Sequence, residues 1–215
     1  PPRSTLFPYT TLFRSVAMDE SGRDEDALRI LNAFSDQFPK DDRTTESLVR
    51  VATLYHEKKA FDQASGKFAQ AYLSAPDPGE KGRILMSHAL VHETRGNMKV
   101  AAELREKAVT EFALMGGNTY ELLTRAHKEL GRSYMDMKHY VKAADSYLKA
   151  LNLSESDQEK ANLGFLLGDA YQKGNVLPKA REIFKQVADS YDSVWARMAE
   201  QRLNTLDLAQ ALRNS

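Results

Sequence analysis

An internal repeat constrains this chain more than any other feature. A small residue recurs at Ala52, Ala89, Gly131 and Gly168, each time inside an apolar run at helical spacing. The steps between them are 37, 42 and 37 residues, and each is followed by a second helical run that carries alanines. Self-similarity at a period of about 20 to 50 residues predicts stacked helix pairs, whose extended surfaces serve for binding.

The small residue has a physical role in this pattern. If Ala52 is counted as the eighth position of its unit, Leu48, Val51 and Tyr55 complete one apolar stripe on the first helix. The second helix has small residues at Ala64 and Ala71 on either side of a ring at Phe68. Ala or Gly at these points lets two helices approach closely, because no long side chain separates the backbones.

These residues resemble the tetratricopeptide repeat (TPR) family over about residues 44–192. The resemblance implies an all-α fold, a right-handed solenoid of antiparallel helix pairs. The second repeat departs from the family pattern, since Arg105 replaces the expected ring, and His88 and His92 stand at positions that are usually apolar or aromatic. The predicted divisions are a half repeat at 24–39, repeats at about 45–76, 82–115, 124–154 and 161–191, and a capping helix with its tail at 192–215.

Capping residues and glycines set the predicted helix bounds. Asp77 with Pro78, Asn118 with Glu121, and Ser156 with Glu159 predict helix starts, and Gly116-Gly117 predicts a stop. The longest repeat step predicts about two extra helical turns, shared by the helices that flank this glycine pair. The helices are predicted at 24–38, 44–58, 61–74, 78–95, 98–114, 119–137, 140–152, 157–173 and 177–190.

The two ends differ from the repeats. Residues 1–23 are predicted to be a non-native or disordered segment, and residues 1–15 resemble a translated sequencing adapter; the alternative is a natural apolar arm that docks on the open end of the array. Trp195 is the predicted anchor of the terminal helix. The W-x-x-M-A-x-x-R-L pattern of that helix resembles bacterial TPR proteins of the cell envelope, which favours the periplasm or envelope over the cytoplasm.

Composition and motifs argue against several classes of function. Lys plus Arg and Asp plus Glu both number 30, which predicts no nucleic-acid partner, and no apolar run is long enough to span a membrane. His88 and His92 lie four residues apart, but Ala89 occupies the place where zinc proteases carry Glu, so local hydrogen bonding is favoured over a metal site. With no phosphate loop and no cysteine, the sequence predicts neither an enzyme nor a cofactor.

The TPR resemblance also implies a partner-binding groove lined by the first helix of each repeat. A basic middle with apolar neighbours suits an acidic and apolar peptide or helix; the alternative is an ordinary solvated basic face. The chaperone-type carboxylate clamp is absent, because Val49 and Thr53 occupy two of its positions. The groove residues are predicted to be Arg83, Met86, Leu90, Arg125, Lys128, Arg132, Phe165 and Asp169.

We therefore predict a non-catalytic protein-interaction scaffold. Two alternatives stay open at this point. In the first alternative, the chain is a structural segment of a larger multidomain protein. In the second, it is a regulatory module attached to an enzyme domain upstream. The partner's identity and the oligomeric state do not follow from the sequence.

Overall fold

The computed structural model describes residues 24–190 and 194–214, and its regular structure there is entirely helical. The predicted bounds agree with the observed ones to within one residue. The predictions for residues 1–23, and for the first residues of the terminal helix, lie outside the described part. The helices are α1 Asp24–Gln37, α2 Thr44–Glu57, α3 Phe61–Ser74, α4 Pro78–Thr94, α5 Met98–Ala113, α6 Tyr120–Asp136, α7 Tyr140–Leu153, α8 Asp157–Lys173, α9 Leu177–Ser190 and α10 Val194–Asn214.

The helices form two compact units, divided between residues 111 and 112. In the first unit, α1 packs on α2, α2 on α3 and α3 on α4. In the second unit, α6 packs on α7, α7 on α8 and α8 on α9, while α10 packs on both α9 and α8. Within each unit, these helices pack on their neighbours in the chain, as repeat architectures require.

Each unit has its own apolar core. In the first, Ala27 and Leu31 of α1 cluster with Val51 and Leu54 of α2. A second cluster joins α2, α3 and α4 through Leu48, Ala52, Phe68, Ile84 and Val91, together with Ala64, Ala71 and Ala75. The core of the second unit joins α8, α9 and α10 through Phe165, Ala180, Phe184, Val187, Ala199 and Leu206.

The predicted close contact at the small residues is confirmed. Ala52 and Ala89 are completely buried. A Cβ atom on Gly131 would lie 2.7 Å from the ring of Tyr147, and one on Gly168 would lie 2.5 Å from the ring of Phe184. Both distances are far below a van der Waals contact, so only glycine fits where these rings cross α6 and α8.

The turn inside each repeat has one conformation built from different residues. Lys59, Gly96, Lys138 and Asn175 occupy the same repeat position, and each has a positive φ between 58° and 88°. At each turn, this residue and the next donate backbone N–H groups to the last turn of the preceding helix, as Lys138 does to Met135 O and His139 to Tyr134 O. This is the usual way to end a helix with a left-handed residue.

Two helix starts follow the predicted capping, and one does not. Asp77 accepts a hydrogen bond from Glu80 N at 2.9 Å, and Ser156 accepts one from Glu159 N at 3.4 Å. Asn118 instead accepts from Tyr120 N at 3.1 Å, and Thr119 is the N-cap residue of α6. Asn118, the predicted cap, therefore forms a short side-chain turn one residue ahead of the observed cap.

The prediction of two extra helical turns in the longest repeat step is wrong. Helix α5 has 16 residues, against 14 in α3, α7 and α9, and α6 has the same 17 residues as α8. Most of the extra length lies in the loop of residues 114–119, which connects α5 and α6. Gly117 in this loop has a φ of +86°, a left-handed conformation that does not continue a helix.

Candidate functional site

The predicted groove residues fall in both units, and each group is described within its own unit. Arg83, Met86 and Leu90 lie on α4 of the first unit. Arg83 is exposed, Met86 is half-buried and Leu90 is 48% exposed. An apolar side chain that is half open to water on a helix face is available for contact with a partner.

The second unit presents a row of three cations on α6. Arg125, Lys128 and Arg132 are separated by three and four residues, so they follow one face of the helix. Arg125 and Arg132 are exposed, and Lys128 is half-buried. Arg125 has no ion-pair partner among the described residues, and Lys128 Nζ lies 3.9 Å from Glu159 Oε1. The row extends over about 10 Å along the helix axis.

The carboxylates on α8 are occupied within the unit. Asp169 lies 2.9 Å from Lys173 Nζ and 3.6 Å from an Nη2 atom of Arg202 on α10, and its side chain is only 13% exposed. Glu159 accepts a hydrogen bond from Ser154 Oγ at 3.2 Å. Asp169 therefore helps to fix α10 on α8, in addition to its predicted place among the groove residues.

Phe165, which was expected to line the groove, is buried. Only 6% of this residue is exposed, and its ring centroid lies 5.7 Å from that of Phe184 and 5.5 Å from that of Trp195. Because α10 packs on α8, it covers the position that would be open in an internal repeat. Trp195 packs on this cluster, as expected of the anchor of the terminal helix.

His88 and His92 are half-buried and hydrogen-bond locally, as predicted. Ser65 Oγ lies 2.7 Å from His88 Nε2 and 3.3 Å from His92 Nε2. Burial, with the nearby His92 and Lys107, lowers the pKa of His88 to about 4. Burial and Arg95 lower the pKa of His92, although Asp62 opposes the shift. Both rings are therefore neutral at neutral pH. The described residues contain no group of three or more His, Asp or Glu suited to a metal ion.

Arg105, the residue that replaces the expected ring, is buried in an ion pair. Its guanidinium contacts the carboxylate of Glu93, and the two side chains are 3% and 14% exposed. The sequence identified Arg105 as unusual, but its pairing with Glu93 was not predicted. The sequence signal that could have predicted the pair is an acidic residue on the first helix of the same repeat, because a buried arginine needs a counter-charge nearby.

A cavity of about 520 Å³ in the first unit was not predicted. It lies between α3, α4 and α5, and Leu73, near the end of α3, borders it while remaining 82% exposed. The hydroxyl of Tyr72 donates a hydrogen bond to Glu111 Oε1 at 2.7 Å on its wall. Its lining residues are Ala69, Tyr72, Leu73, Leu85, His88, Leu104, Lys107, Thr110 and Glu111.

The sequence model of the soluble NSF attachment protein (SNAP) family matches residues 18–208 of this chain. The chain belongs to the soluble NSF attachment protein family. The match includes every described helix except the last residues of α10. No curated protein matches the chain.

Solved structures place this SNAP-family chain among TPR-type repeat folds. A crystal structure of MamA has a TM-score of 0.65 at 15% identity and covers 85% of this chain and 91% of its own. MamA from Desulfovibrio magneticus RS-1 gives 0.63 at 19% identity, covering 87% and 98%. A putative kinesin light chain with nearly identical TPR-like repeats, from Podosopora anserina, gives 0.64 at 16% identity, covering 86% and 97%.

These likenesses establish the fold and confirm the TPR resemblance inferred from the small-residue pattern. The SNAP-family chain is all-α and of the TPR repeat type, a fold typical of scaffolds for protein–protein interaction. Among its described residues, no helix has both the length and the apolar character needed to cross a membrane.

Proposed function

We propose that this chain is a non-catalytic adaptor whose second unit binds an acidic, amphipathic helix or peptide of a partner along α6. The observation that supports this most directly is the row of Arg125, Lys128 and Arg132 on one helix face. Arginine binds carboxylates through paired hydrogen bonds, so two exposed arginines in one row favour a partner with acidic residues at helical spacing.

The charge balance around the row supports an acidic partner. Asp169 is held by Lys173 and Arg202, and Glu159 accepts from Ser154 while it lies at the limit of ion-pair distance from Lys128. None of the acids of α8 forms an ion pair with Arg125. An acidic segment would gain more here than a neutral one, and its association would weaken with salt.

The remaining predicted residues take different parts in this proposal. Arg83, Met86 and Leu90 on α4 form a separate contact for a partner, with apolar area beside one cation. Asp169 positions α10 through Arg202. Phe165 is left out of the partner contacts, since reaching it would require α10 to move.

The family supports the general role. Its description names an attachment protein, and we extend to this chain only the act of holding one protein against another. We also propose the bacterial periplasm or cell envelope as its compartment, on the resemblance of the terminal helix; fractionation of the native cells would test this.

The test uses three fluorescent peptides of about 15 residues that share one apolar helix face and differ only in a polar face of Glu, Gln or Lys. Binding is followed by fluorescence anisotropy. We expect the Glu peptide to bind best and to lose affinity as salt is raised. Arg125→Glu with Arg132→Glu should weaken its binding by about tenfold or more, because attraction becomes repulsion at two points.

The control is Lys149→Glu with Lys185→Glu, which changes the net charge equally at exposed positions on α7 and α9. This variant should bind the Glu peptide within about twofold of the original chain. Equal binding of all three peptides, or an equal loss in the control, would reject α6 as the contact.

A further inference from the structure

The cavity in the first unit has the size and lining of a small-molecule site. Its volume of about 520 Å³ lies within the range of about 300 to 1,000 Å³ that holds drug-sized ligands. Such sites are mostly apolar and have a few polar groups that orient the ligand.

The walls are largely apolar. Ala69 and Leu73 from α3, Leu85 from α4 and Leu104 from α5 contribute aliphatic surface, and the ring of Tyr72 adds an aromatic side. Leu73 is 82% exposed, although it borders this apolar cavity. An apolar tail that entered the cavity would remove part of this surface from water, which favours binding.

The polar groups of the lining are not equivalent. Glu111 already accepts the hydrogen bond of the Tyr72 hydroxyl, which raises the pKa of that phenol. His88 is neutral, and its Nε2 is occupied by Ser65. Lys107 is exposed at the cavity and has no ion-pair partner among the described residues. Of the charged groups in the lining, Lys107 is thus the one left to meet a ligand.

We propose that this cavity binds a small amphipathic carboxylic acid, with its alkyl or aryl tail on the leucines and its carboxylate on Lys107. The carboxylate supplies the ion-pair partner that Lys107 does not have among the described residues, and Thr110 offers a hydroxyl beside it. The site lies in the first unit and shares no residue with the α6 row, so it stands independently of the adaptor proposal.

Calorimetric titration of the intact chain with decanoate, below its micelle concentration, tests the proposal. We expect one saturable site. Decyltrimethylammonium has the same tail and the opposite charge and should bind at least about tenfold more weakly. Hexanoate should also bind more weakly, because a shorter tail buries less apolar area.

Two variants locate the site. Lys107→Met should weaken decanoate binding by about tenfold, since it keeps the length of the side chain and removes its charge. Ala69→Trp fills the cavity from an exposed position on α3 and should abolish binding. Lys99→Met and Gln70→Trp are the controls, because both residues are exposed on the same two helices and neither lines the cavity.

Circular dichroism establishes that each variant is folded before titration, and Leu104→Trp replaces Ala69→Trp if the latter unfolds. Absence of saturable binding overturns the proposal. So does binding that the two site variants leave unchanged, or equal affinity for the cationic amphiphile. Each of these outcomes is independent of the peptide measurements on α6.

Discussion

The second repeat, in the first unit, and the fourth repeat, in the second unit, build the same contact between two helices from opposite kinds of residue. In the fourth repeat, the ring of Phe184 lies on Gly168 so closely that a Cβ atom there would be 2.5 Å away. In the second repeat, Arg105 occupies the place of that ring and pairs with Glu93. The equivalent position is therefore buried in both repeats, by an apolar ring in the fourth and by an ion-paired guanidinium in the second.

The same contrast extends along the first helix of each repeat. His88 stands where the fourth repeat has the fully buried Leu167, and His92 stands where it has Tyr171. Both histidines use Ser65 as a hydrogen-bond partner. A buried polar network holds one arrangement when it is complete and is costly when one member is removed. The second repeat should thus respond more strongly to single polar substitutions than the fourth.

The largest expected effect comes from breaking the ion pair. Glu93→Leu leaves the buried Arg105 guanidinium without this carboxylate, and we expect the free energy of unfolding to fall by about 3 kcal/mol or more. Urea denaturation measures it. Replacing both residues, Glu93→Leu with Arg105→Leu, should restore most of the loss, because the buried guanidinium that has lost this carboxylate is removed as well. A double variant as unstable as the single one would show that the pair acts through something other than charge.

A smaller effect is expected from the glycine contact in the fourth repeat. Gly168→Ala forces the ring of Phe184 away and should destabilise the chain by about 1 to 2 kcal/mol, after allowance for the higher helix propensity of alanine. Gly66→Ala is the matched control: Gly66 lies on α3, and a Cβ there would meet nothing within 4 Å. It should stabilise by about 0.5 to 1 kcal/mol. Equal shifts in melting temperature for both variants would remove the proposed role of the ring.

The smallest expected effect is a pH dependence. The pKa of His88 is lowered from 6.5 to about 4, so below pH 6.5 the unfolded chain takes up a proton that the folded chain refuses. Stability should therefore fall between about pH 6.5 and pH 4, by on the order of 1 kcal/mol because solvent screens the half-exposed ring. His88→Leu, which copies the fourth repeat, should lose less stability over this range. Both proteins keep the neighbouring titratable and charged groups His92, Lys107, Arg95 and Asp62. The difference between their urea denaturation curves across this pH range therefore measures the contribution of His88.

The sequence predicted the helices well because their determinants are local. Small residues at a fixed period, Asp77 before Pro78 and the left-handed turn residues act within a few positions of the chain. The site was less predictable because it depends on which side chains meet across helices. Phe165 has the repeat position of a groove residue, but it is buried because Phe184 of α9 and Trp195 of α10 pack against its ring. The cavity depends on unfilled volume between three helices, and no single residue encodes that volume.

The turn shared by the four repeats has a practical consequence for measuring the adaptor. Lysine, glycine and asparagine all adopt its left-handed conformation, and Lys59 and Lys138 are exposed there. The chain has no cysteine, so Lys138→Cys would create a unique thiol for a dye. A label at this corner between α6 and α7 would report the arrival of a binding segment without touching the arginines that we expect to receive it.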